Sequence, residues 1–326
     1  MKKELGISIL LLALCVVTAI LNPKFISPVN LTNMANVVGL FGIFSLGLGL
    51  VIITGGIDLS VGSMFALSGV LLAMALKEWN WVWPIAALAA IAIPMVLGWG
   101  HGWLITRMRI QPFIITLCGL LLYRGLARFV AGDNTKGFGN AEGFESLRFL
   151  AAGRLFRTLD AAGNTRFEGI PMPFVILVVV SVVMWFVLHR SVYGRYLLAV
   201  GRNEEAARFS GINTRRVIAS SYVIAGLLTG IAGVLFAFYT NSISPSNHGN
   251  FFELYGIAAA VLGGCSLRGG EGSVIGILIG TALLQVLQNL VNLLGIPSSL
   301  NFAVMGAVVL MGVLADQLLQ KRGTAK

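Results

Sequence analysis

Residues 34–76 read MANVVGLFGIFSLGLGLVIITGGIDLSVGSMFALSGVLLAMAL, which is two apolar stretches separated by one short break. A helix that crosses a bilayer needs about 20 mostly apolar residues, and each stretch comes close to that length. The break at 54–60 contains two glycines, which let the backbone leave helical geometry. The segment therefore predicts two membrane helices joined by a non-helical connection.

Apolar stretches of similar length recur along the whole chain. The candidates lie at 6–21, 34–53, 60–76, 82–105, 112–131, 172–189, 217–239, 251–264, 273–294 and 299–318. The eighth is short and the third follows the second almost without a loop, so we expect broken or re-entrant helices there. The fold class predicted is all-α: a polytopic membrane bundle of about ten helices, forming a single domain over residues 1–326.

The composition supports lipid as the solvent. Hydrophobic residues make up 57% of the chain and charged residues 11%, whereas soluble domains carry about 25% charged residues. The net charge of +10 does not require a nucleic-acid partner, because membrane proteins concentrate Lys and Arg in cytoplasmic loops. The 40 glycines suit close helix packing. The three cysteines are far apart in sequence, so no disulfide framework is expected.

The distribution of Lys and Arg predicts that both termini are cytoplasmic. With ten spans and an internal N-terminus, most of the 23 basic residues fall inside. We interpret the first stretch as a retained helix, with a cleaved signal as the alternative. Segment 132–171 becomes an extracytoplasmic excursion with a short helix, either a packed loop or a contact for an external partner. Segment 190–216 becomes the largest cytoplasmic loop.

The break between the first two stretches holds a candidate site. Asp58 is the only carboxylate between Glu4 and Glu78. An acid inside a membrane segment is costly unless it has a partner, so it indicates function or architecture. Ser60 can cap the following helix, with Asp58 near the positive helix end. Asp58 is then either part of a translocation path or a cap that fixes a helix break.

The cytoplasmic loop contains a second candidate site. Asn203 is a good N-cap, Glu204 and Glu205 suit a first helical turn, Arg208 suits the last turn, and Gly211 suits the stop. The pattern predicts a short helix about 10–12 Å long. Such a helix either docks in a groove of a partner protein or serves as a surface linker.

Signatures of catalysis are missing from the sequence. Residues 263–273, GGCSLRGGEGS, partly echo the first break, but no P-loop occurs in the chain. The three histidines lie in different segments, and no His-Glu-x-x-His or Gly-x-Ser-x-Gly motif is present. We therefore expect no enzyme, no metal site and no cofactor, with any ATP bound by a separate subunit.

The ordered motifs resemble those of permease subunits of ribose-type ABC sugar importers. The stretches that carry the resemblance are Gly55-Gly56-Ile57-Asp58-Leu59-Ser60-Val61-Gly62-Ser63, Pro112-Phe113-Ile114-Ile115-Thr116-Leu117, Glu205-Ala206-Ala207-x-x-x-Gly211, Ala258-Ala259-Ala260-Val261-Leu262-Gly263-Gly264 and Asn292-Leu293-Leu294-Gly295-Ile296. They follow the family's order over about 30–315. Where the family commonly has an acid two residues after Glu253, this chain has Tyr255.

The resemblance implies a permease in the bacterial inner membrane, working by alternating access. Its partners would be an ABC ATPase, an external sugar-binding protein, membrane lipid and a second permease copy, identical or paralogous. The resemblance places ATPase coupling on Asn203, Glu204, Glu205, Ala206, Ala207, Arg208 and Gly211. It places the translocation path or helix break on Gly55, Gly56, Asp58, Ser60, Ser63, Thr116, Glu253 and Asn292. An ion-coupled secondary transporter is the alternative, and a membrane-bound enzyme is a weaker one.

Overall fold

A computed structural model describes residues 2–140, 142–159 and 165–297, together with 300, 303, 304, 306, 307 and 310. The described residues are mostly helical, and seven of their helices are long and apolar enough to cross a membrane. The chain is thus a polytopic helical membrane protein, as predicted. The tenth predicted span, 299–318, lies largely outside the described residues.

Twelve α-helices occur among the described residues. They are α1 (Lys2–Leu21), α2 (Pro28–Ile53), α3 (Val61–Lys77), α4 (Trp83–Met108), α5 (Pro112–Ala131), α6 (Glu145–Ala152), α7 (Met172–His189), α8 (Val192–Arg202), α9 (Glu204–Phe209), α10 (Thr214–Thr240), α11 (Phe252–Leu262) and α12 (Val274–Leu293). The third and eighth apolar stretches form α3 and α11, which have only 17 and 11 residues. The prediction for these two places was of broken or re-entrant helices, and both helices are shorter than the about 20 residues of a complete span.

Helix α2 lies at the centre of the bundle. Every residue from Gly39 to Ile53 is buried, and the helix packs against α7, α10, α11 and α12. Its sequence is apolar all round, which is typical of a helix surrounded by other helices. Proline in the first turn starts α2, α4, α5 and α7, a position where its missing N–H costs no helical hydrogen bond.

Glycines bring α4 and α10 into backbone contact, as the abundance of glycine predicted. A Cβ atom on Gly98 would overlap the carbonyl oxygen of Tyr222, and one on Gly226 would overlap that of Pro94. Small residues at such crossings let helix backbones approach closely. No other residue type fits there without separating the two helices.

Contacts at the two ends of the bundle agree with helices that alternate in direction. At the end where α1 begins, here called the inner end, the Gly270 amide donates to the Ile53 carbonyl at 2.8 Å. At the opposite, outer end, Asn22 Nδ2 donates to the Leu293 carbonyl at 2.9 Å. Glu4 in the first turn of α1 accepts from the Ser273 hydroxyl at 2.6 Å, so the start of α1 lies with the start of α12 and the end of α2, as the predicted topology requires.

The excursion at the outer end contains the expected short helix, α6, which buries Leu147 and Ala151. It also contains short strands that the sequence did not predict. The strands in the described part of the chain are β1 (Lys136–Gly137), β2 (Arg154–Leu155), β3 (Thr158–Leu159), β4 (Thr165–Phe167), β5 (Ile170–Pro171) and β6 (Ser242–Ile243). All pairs are antiparallel: β2 with β5, β3 with β4, and β1 with β6, which lies outside the excursion.

Candidate functional site

Asp58 lies in the extended connection between α2 and α3 and is almost completely buried, with 1% of its surface exposed. Its Oδ1 atom accepts hydrogen bonds from the Ser60 amide at 2.9 Å and the Ser60 hydroxyl at 2.6 Å. The sequence predicted that the Ser60 side chain would cap α3. That detail is wrong, because the hydroxyl donates to Asp58 and makes no capping bond. Ser63 Oγ donates to the Ser60 carbonyl at 2.7 Å.

The same connection is held by hydrogen bonds from two neighbouring helices. The Tyr222 hydroxyl of α10 donates to the Ile57 carbonyl at 3.2 Å, and Thr116 Oγ1 of α5 lies 3.4 Å from it. Gly55 at φ +81° begins the turn away from α2. Non-helical backbone inside a membrane protein must find its hydrogen bonds within the protein, and these side chains supply them.

The first turn of α3 meets the first turn of α11. A Cβ on Gly62 would overlap the carbonyl oxygen of Gly249, so the two backbones touch. The Glu253 carboxylate is buried and lies against Gly62, where the Gly62 amide donates a hydrogen bond to it. Glu253 therefore caps α3 from another helix. Two of the predicted path residues, Asp58 and Glu253, thus share one helix N-terminus.

This junction lies deep in the bundle. Gly62 is 15 residues before Lys77, the last residue of α3, so it lies about 22 Å below the outer end of that helix. Segment 241–251 starts at the outer end of α10 and reaches Gly62, which makes it re-entrant. Irregular backbone at this depth is tolerated where it is buried in protein or lines a cavity.

Arg124 belongs to the junction, although the sequence reasoning did not single it out. It lies in α5, and its Nη1 atom donates to the His248 carbonyl at 2.7 Å and to the Pro245 carbonyl at 3.2 Å. Its charge also interacts with that of Glu253. An arginine within an apolar stretch was the signal that could have identified it, because intramembrane charges indicate function or a fixed partner.

The charges at the junction nearly cancel. Asp58 and Glu253 contribute two carboxylates, and Arg124 contributes one guanidinium. The N-termini of α3 and α11 each add the equivalent of about half a positive charge. With these terms the charges of the junction sum to about zero. Among the described residues, no three His, Cys, Asp or Glu side chains are grouped to hold a metal ion.

The predicted cytoplasmic helix exists as α9. Asn203 Oδ1 accepts from the Ala206 amide at 2.9 Å, which confirms the N-cap, and Gly211 at φ +84° follows the end of the helix. Glu204 Oε1 accepts from the Thr214 hydroxyl at 3.1 Å, which ties α9 to α10. The Phe209 ring is 84% exposed next to the exposed Arg208. Helix α9 thus presents an aromatic and charged surface at the inner end.

Ala207 does not belong to that surface. It is buried against the core of the bundle, so its role is to seat α9 and not to meet a partner. Glu205 and Ala206 of the predicted set are exposed. An open cavity of about 710 Å³ adjoins α9 on the Asn203–Ala206 side, with Arg195, Arg202 and Glu271 among its lining residues.

Helix α8 connects α9 to the two glycine-rich segments, 54–63 and 263–273. A Cβ on Gly201 would overlap the carbonyl oxygen of Ile53 and the amide nitrogen of Gly270. Gly269, at φ +85°, lies against Gly55 and Gly201. The three stretches that the sequence singled out, 54–63, 200–216 and 263–273, therefore meet at the inner end of the bundle.

Asn292 is not part of either cluster. It is an exposed residue in the last turn of α12, and its carbonyl accepts from the Gly295 amide at 3.1 Å. The structure therefore separates it from Asp58 and Glu253. Gly56, by contrast, lies against the Tyr222 hydroxyl at the start of the connection.

Known proteins and one family model match this chain over most of its length. A model of the family described as "Branched-chain amino acid transport system / permease component" matches residues 30–313. The chain is 38% identical to the ribose import permease protein RbsC of Bacillus subtilis (strain 168), over 97% of this chain and 93% of that protein. No solved structure gives a significant match.

Relatives named for other sugars are also similar. The fructose import permease protein FrcC of Rhizobium meliloti is 31% identical, over 96% of this chain and 84% of that protein. The xylose transport system permease protein XylH of Escherichia coli (strain K12) is 30% identical, over 91% of this chain and 87% of that protein.

Proposed function

Because this chain belongs to the family of branched-chain amino acid transport system permease components, we propose that it is the membrane subunit of an ABC importer for a monosaccharide or a related sugar-like solute. It is a multi-pass protein of the bacterial inner membrane. The sugar class rests on relatives named for ribose, fructose and xylose import. Since these names differ, the class of solute is proposed and no individual sugar.

One observation carries the proposed mechanism: the exposed helix α9 is joined by backbone contacts to the connection that holds Asp58. Gly201 at the end of α8 touches Ile53 and Gly270, and Ile53 immediately precedes 54–60. A movement of α9 is therefore transmitted through closely packed backbone to the connection at 54–60, and from there to the junction of α3 and α11. Such a route suits a permease that is driven by a separate subunit.

In the proposed cycle, two permease copies enclose the path and two ATPase subunits dock on their α9 helices. An external binding protein delivers the solute at the outer end. ATP is bound by the ATPase subunits, so the permease itself requires no cofactor. Each partner shifts the equilibrium between outward-open and inward-open states only because it binds one state more tightly than the other.

Uptake by the reconstituted complex tests this proposal. The chain is co-expressed with the ATPase and binding protein encoded beside it, purified and placed in liposomes with ATP on the ATPase side. We expect accumulation of a labelled pentose or hexose that depends on ATP and on the binding protein. Accumulation of branched-chain amino acids instead would reject the sugar assignment, and absence of ATPase association would reject the permease role.

A further inference from the structure

Segment 241–251 connects the outer end of α10 to the start of α11 and consists of β6 followed by turns. We propose that this segment is the outer gate of the translocation path, and that the β1 strand of the excursion is the handle that moves it. The inference rests on the proposed import function. It gives a function to strand β1 of the excursion and to Arg124, for which the proposed import function alone specifies none.

The handle is attached directly to the gate. Strand β1 pairs with β6, so that Lys136 lies opposite Ile243 and Gly137 lies opposite Ser242. The ring of Phe138 stacks on Phe238 at the end of α10, with 4.3 Å between ring centroids. Any displacement of β1 therefore acts on the first residues of the gate.

The handle is also continuous with a surface that an external protein can reach. Phe144, which precedes α6, packs against Phe138 and Phe238. Helix α6 then exposes Phe149 and Leu150 at the outer end of the bundle. A protein that docks on this apolar surface thus contacts the element that leads to β1.

The deep end of the gate contacts its neighbouring helices through polar groups and backbone. Arg124 donates to the carbonyl oxygens of Pro245 and His248, and Gly249 touches Gly62 at the start of α3. His248 is buried against Phe236, and its Nε2 atom has no hydrogen-bond partner. A buried polar atom without a partner costs free energy, so a movement that lets His248 Nε2 meet water offsets part of the cost of displacing the gate.

The position of the gate explains why its displacement would open a path. The segment fills the space between α3, α5 and α11 from the outer end down to the junction of Gly62 and Glu253. Removing it would expose the charged junction to the outer solution. Arg124 is then a positioning residue, which holds the closed gate by its two carbonyl bonds.

Two cross-links test the inference: one fixes the handle to the bundle, and the other only joins the handle to the gate. Lys136 in β1 pairs with Glu78 at the end of α3, so Lys136→Cys with Glu78→Cys, bridged by a short bismaleimide, holds β1 against α3.

A disulfide across β1 and β6 joins the handle to the gate without attaching either to a helix. Gly137 and Ser242 are exposed and opposite each other, and a Cβ on Gly137 would make only ordinary contact, 3.5 Å from the Asn241 carbonyl oxygen. The variant Gly137→Cys with Ser242→Cys therefore suits the short Cβ separation of a disulfide. It is built with Cys118→Ser, because Cys118 is an exposed native thiol.

The matched control is a disulfide elsewhere in the excursion. Thr158 and Phe167 are exposed and paired in β3 and β4, which have no strand contact with the gate. The variant Thr158→Cys with Phe167→Cys, also with Cys118→Ser, is oxidised and reconstituted in the same way. Uptake is measured for both disulfide variants before oxidation, after oxidation and after reduction, and for the variant Lys136→Cys with Glu78→Cys before and after bridging.

We expect loss of uptake when β1 is bridged to α3, and unchanged uptake with either disulfide, because β1 and β6 move together and β3 and β4 are not joined to the gate. Unchanged uptake with β1 bridged to α3 would overturn the inference, since the handle would then be fixed in place without consequence. Equal loss with the β3–β4 disulfide would also overturn it, because the effect would belong to the excursion in general. Failure of the reduced variants and of the unmodified complex to transport any sugar would instead reject the proposed function.

Discussion

Asp58 links the sequence motif to the architecture of the break. Its Oδ1 atom accepts hydrogen bonds from both the amide and the hydroxyl of Ser60, and both donors are buried. Loss of the acceptor would leave those donors unpaired, which costs about 1–3 kcal/mol for a buried group. Asparagine would keep an oxygen at the same place without the charge, and it caps helices as well as aspartate does.

The first prediction follows from that difference. We expect Asp58→Ala to lower the stability of the detergent-solubilised protein by about 1–3 kcal/mol and to abolish uptake. We expect Asp58→Asn to retain the stability and most of the uptake. Thermal unfolding and sugar uptake of the two variants make the comparison, with Ser63→Ala as a control that removes one neighbouring hydroxyl. Normal uptake by Asp58→Ala would exclude this residue from the mechanism.

Gly201 allows a second prediction about a single residue. A methyl group there would overlap the backbone of both Ile53 and Gly270. We expect Gly201→Ala to separate α8 from the end of α2 and so to abolish ATP-driven uptake. Gly100→Ala is the matched control, because Gly100 is also helical and nothing lies within 4 Å of its added Cβ.

The measurement for this pair is uptake per ATP hydrolysed in the reconstituted complex. In Gly201→Ala the ATPase would still hydrolyse ATP but would move no sugar, whereas Gly100→Ala would behave as the unmodified protein. Preserved transport in Gly201→Ala would mean that the contact with Ile53 does not carry the motion. A failure of both variants to insert into the membrane would show that helical glycine is needed in general.

Single residues also show what the sequence could and could not reveal. Asp58 was identifiable because one carboxylate in a long apolar region is conspicuous. The direction of the Ser60 hydroxyl was not, because a serine beside an aspartate can either cap the helix or donate to the acid. The role of Arg124 was not predictable from local sequence, because its carbonyl partners come from residues more than 120 positions away.

At the scale of elements, α9 was the most predictable part of the site. Its cap, acidic first turn and glycine stop are local signals within nine residues, and the helix formed where they placed it. The orientation of Ala207 toward the core was not local information, because it depends on how α8 and α10 position α9. Segment 241–251 was not recognised as re-entrant for the same reason.

The exposed surface of α9 gives the third prediction. We expect Phe209→Ala to leave the stability within about 0.5 kcal/mol of the unmodified protein, because the ring is exposed, and to weaken association with the ATPase. Phe156→Ala is the control, since Phe156 is 74% exposed but lies in the excursion at the opposite end. Copurification of the ATPase with each variant is the measurement.

Ala207 should behave differently from its exposed neighbour. A charged side chain at this buried position, as in Ala207→Glu, would have to displace α9 from the bundle. We expect that variant to lose stability as well as ATPase binding. If Phe209→Ala copurifies with the ATPase as well as Phe156→Ala does, the docking surface lies elsewhere at the inner end.

At the scale of the whole molecule, hydropathy predicted the order of the membrane helices well. Nine of the ten apolar stretches correspond to described helices, and contacts at each end agree with the predicted alternation. The sequence did not predict that three segments lie together, namely 54–63, 200–216 and 263–273. Each is glycine-rich or polar, and such a composition does not indicate which other segment it contacts. Only close packing of α2, α8 and α12 brings them together.

Whether an ion gradient could drive transport depends on the charges at the junction of α3 and α11. A cation-coupled transporter needs an intramembrane acid that is left uncompensated until the ion binds. Here Asp58 Oδ1 accepts two hydrogen bonds from Ser60, and the Glu253 carboxylate caps α3 and interacts with Arg124. We therefore expect the permease alone in liposomes to accumulate no sugar when a proton or sodium gradient is imposed. Addition of the ATPase, the binding protein and ATP should start accumulation, and a gradient should not alter its extent. Gradient-driven accumulation by the permease alone would show that one of these carboxylates exchanges its present partner for an ion.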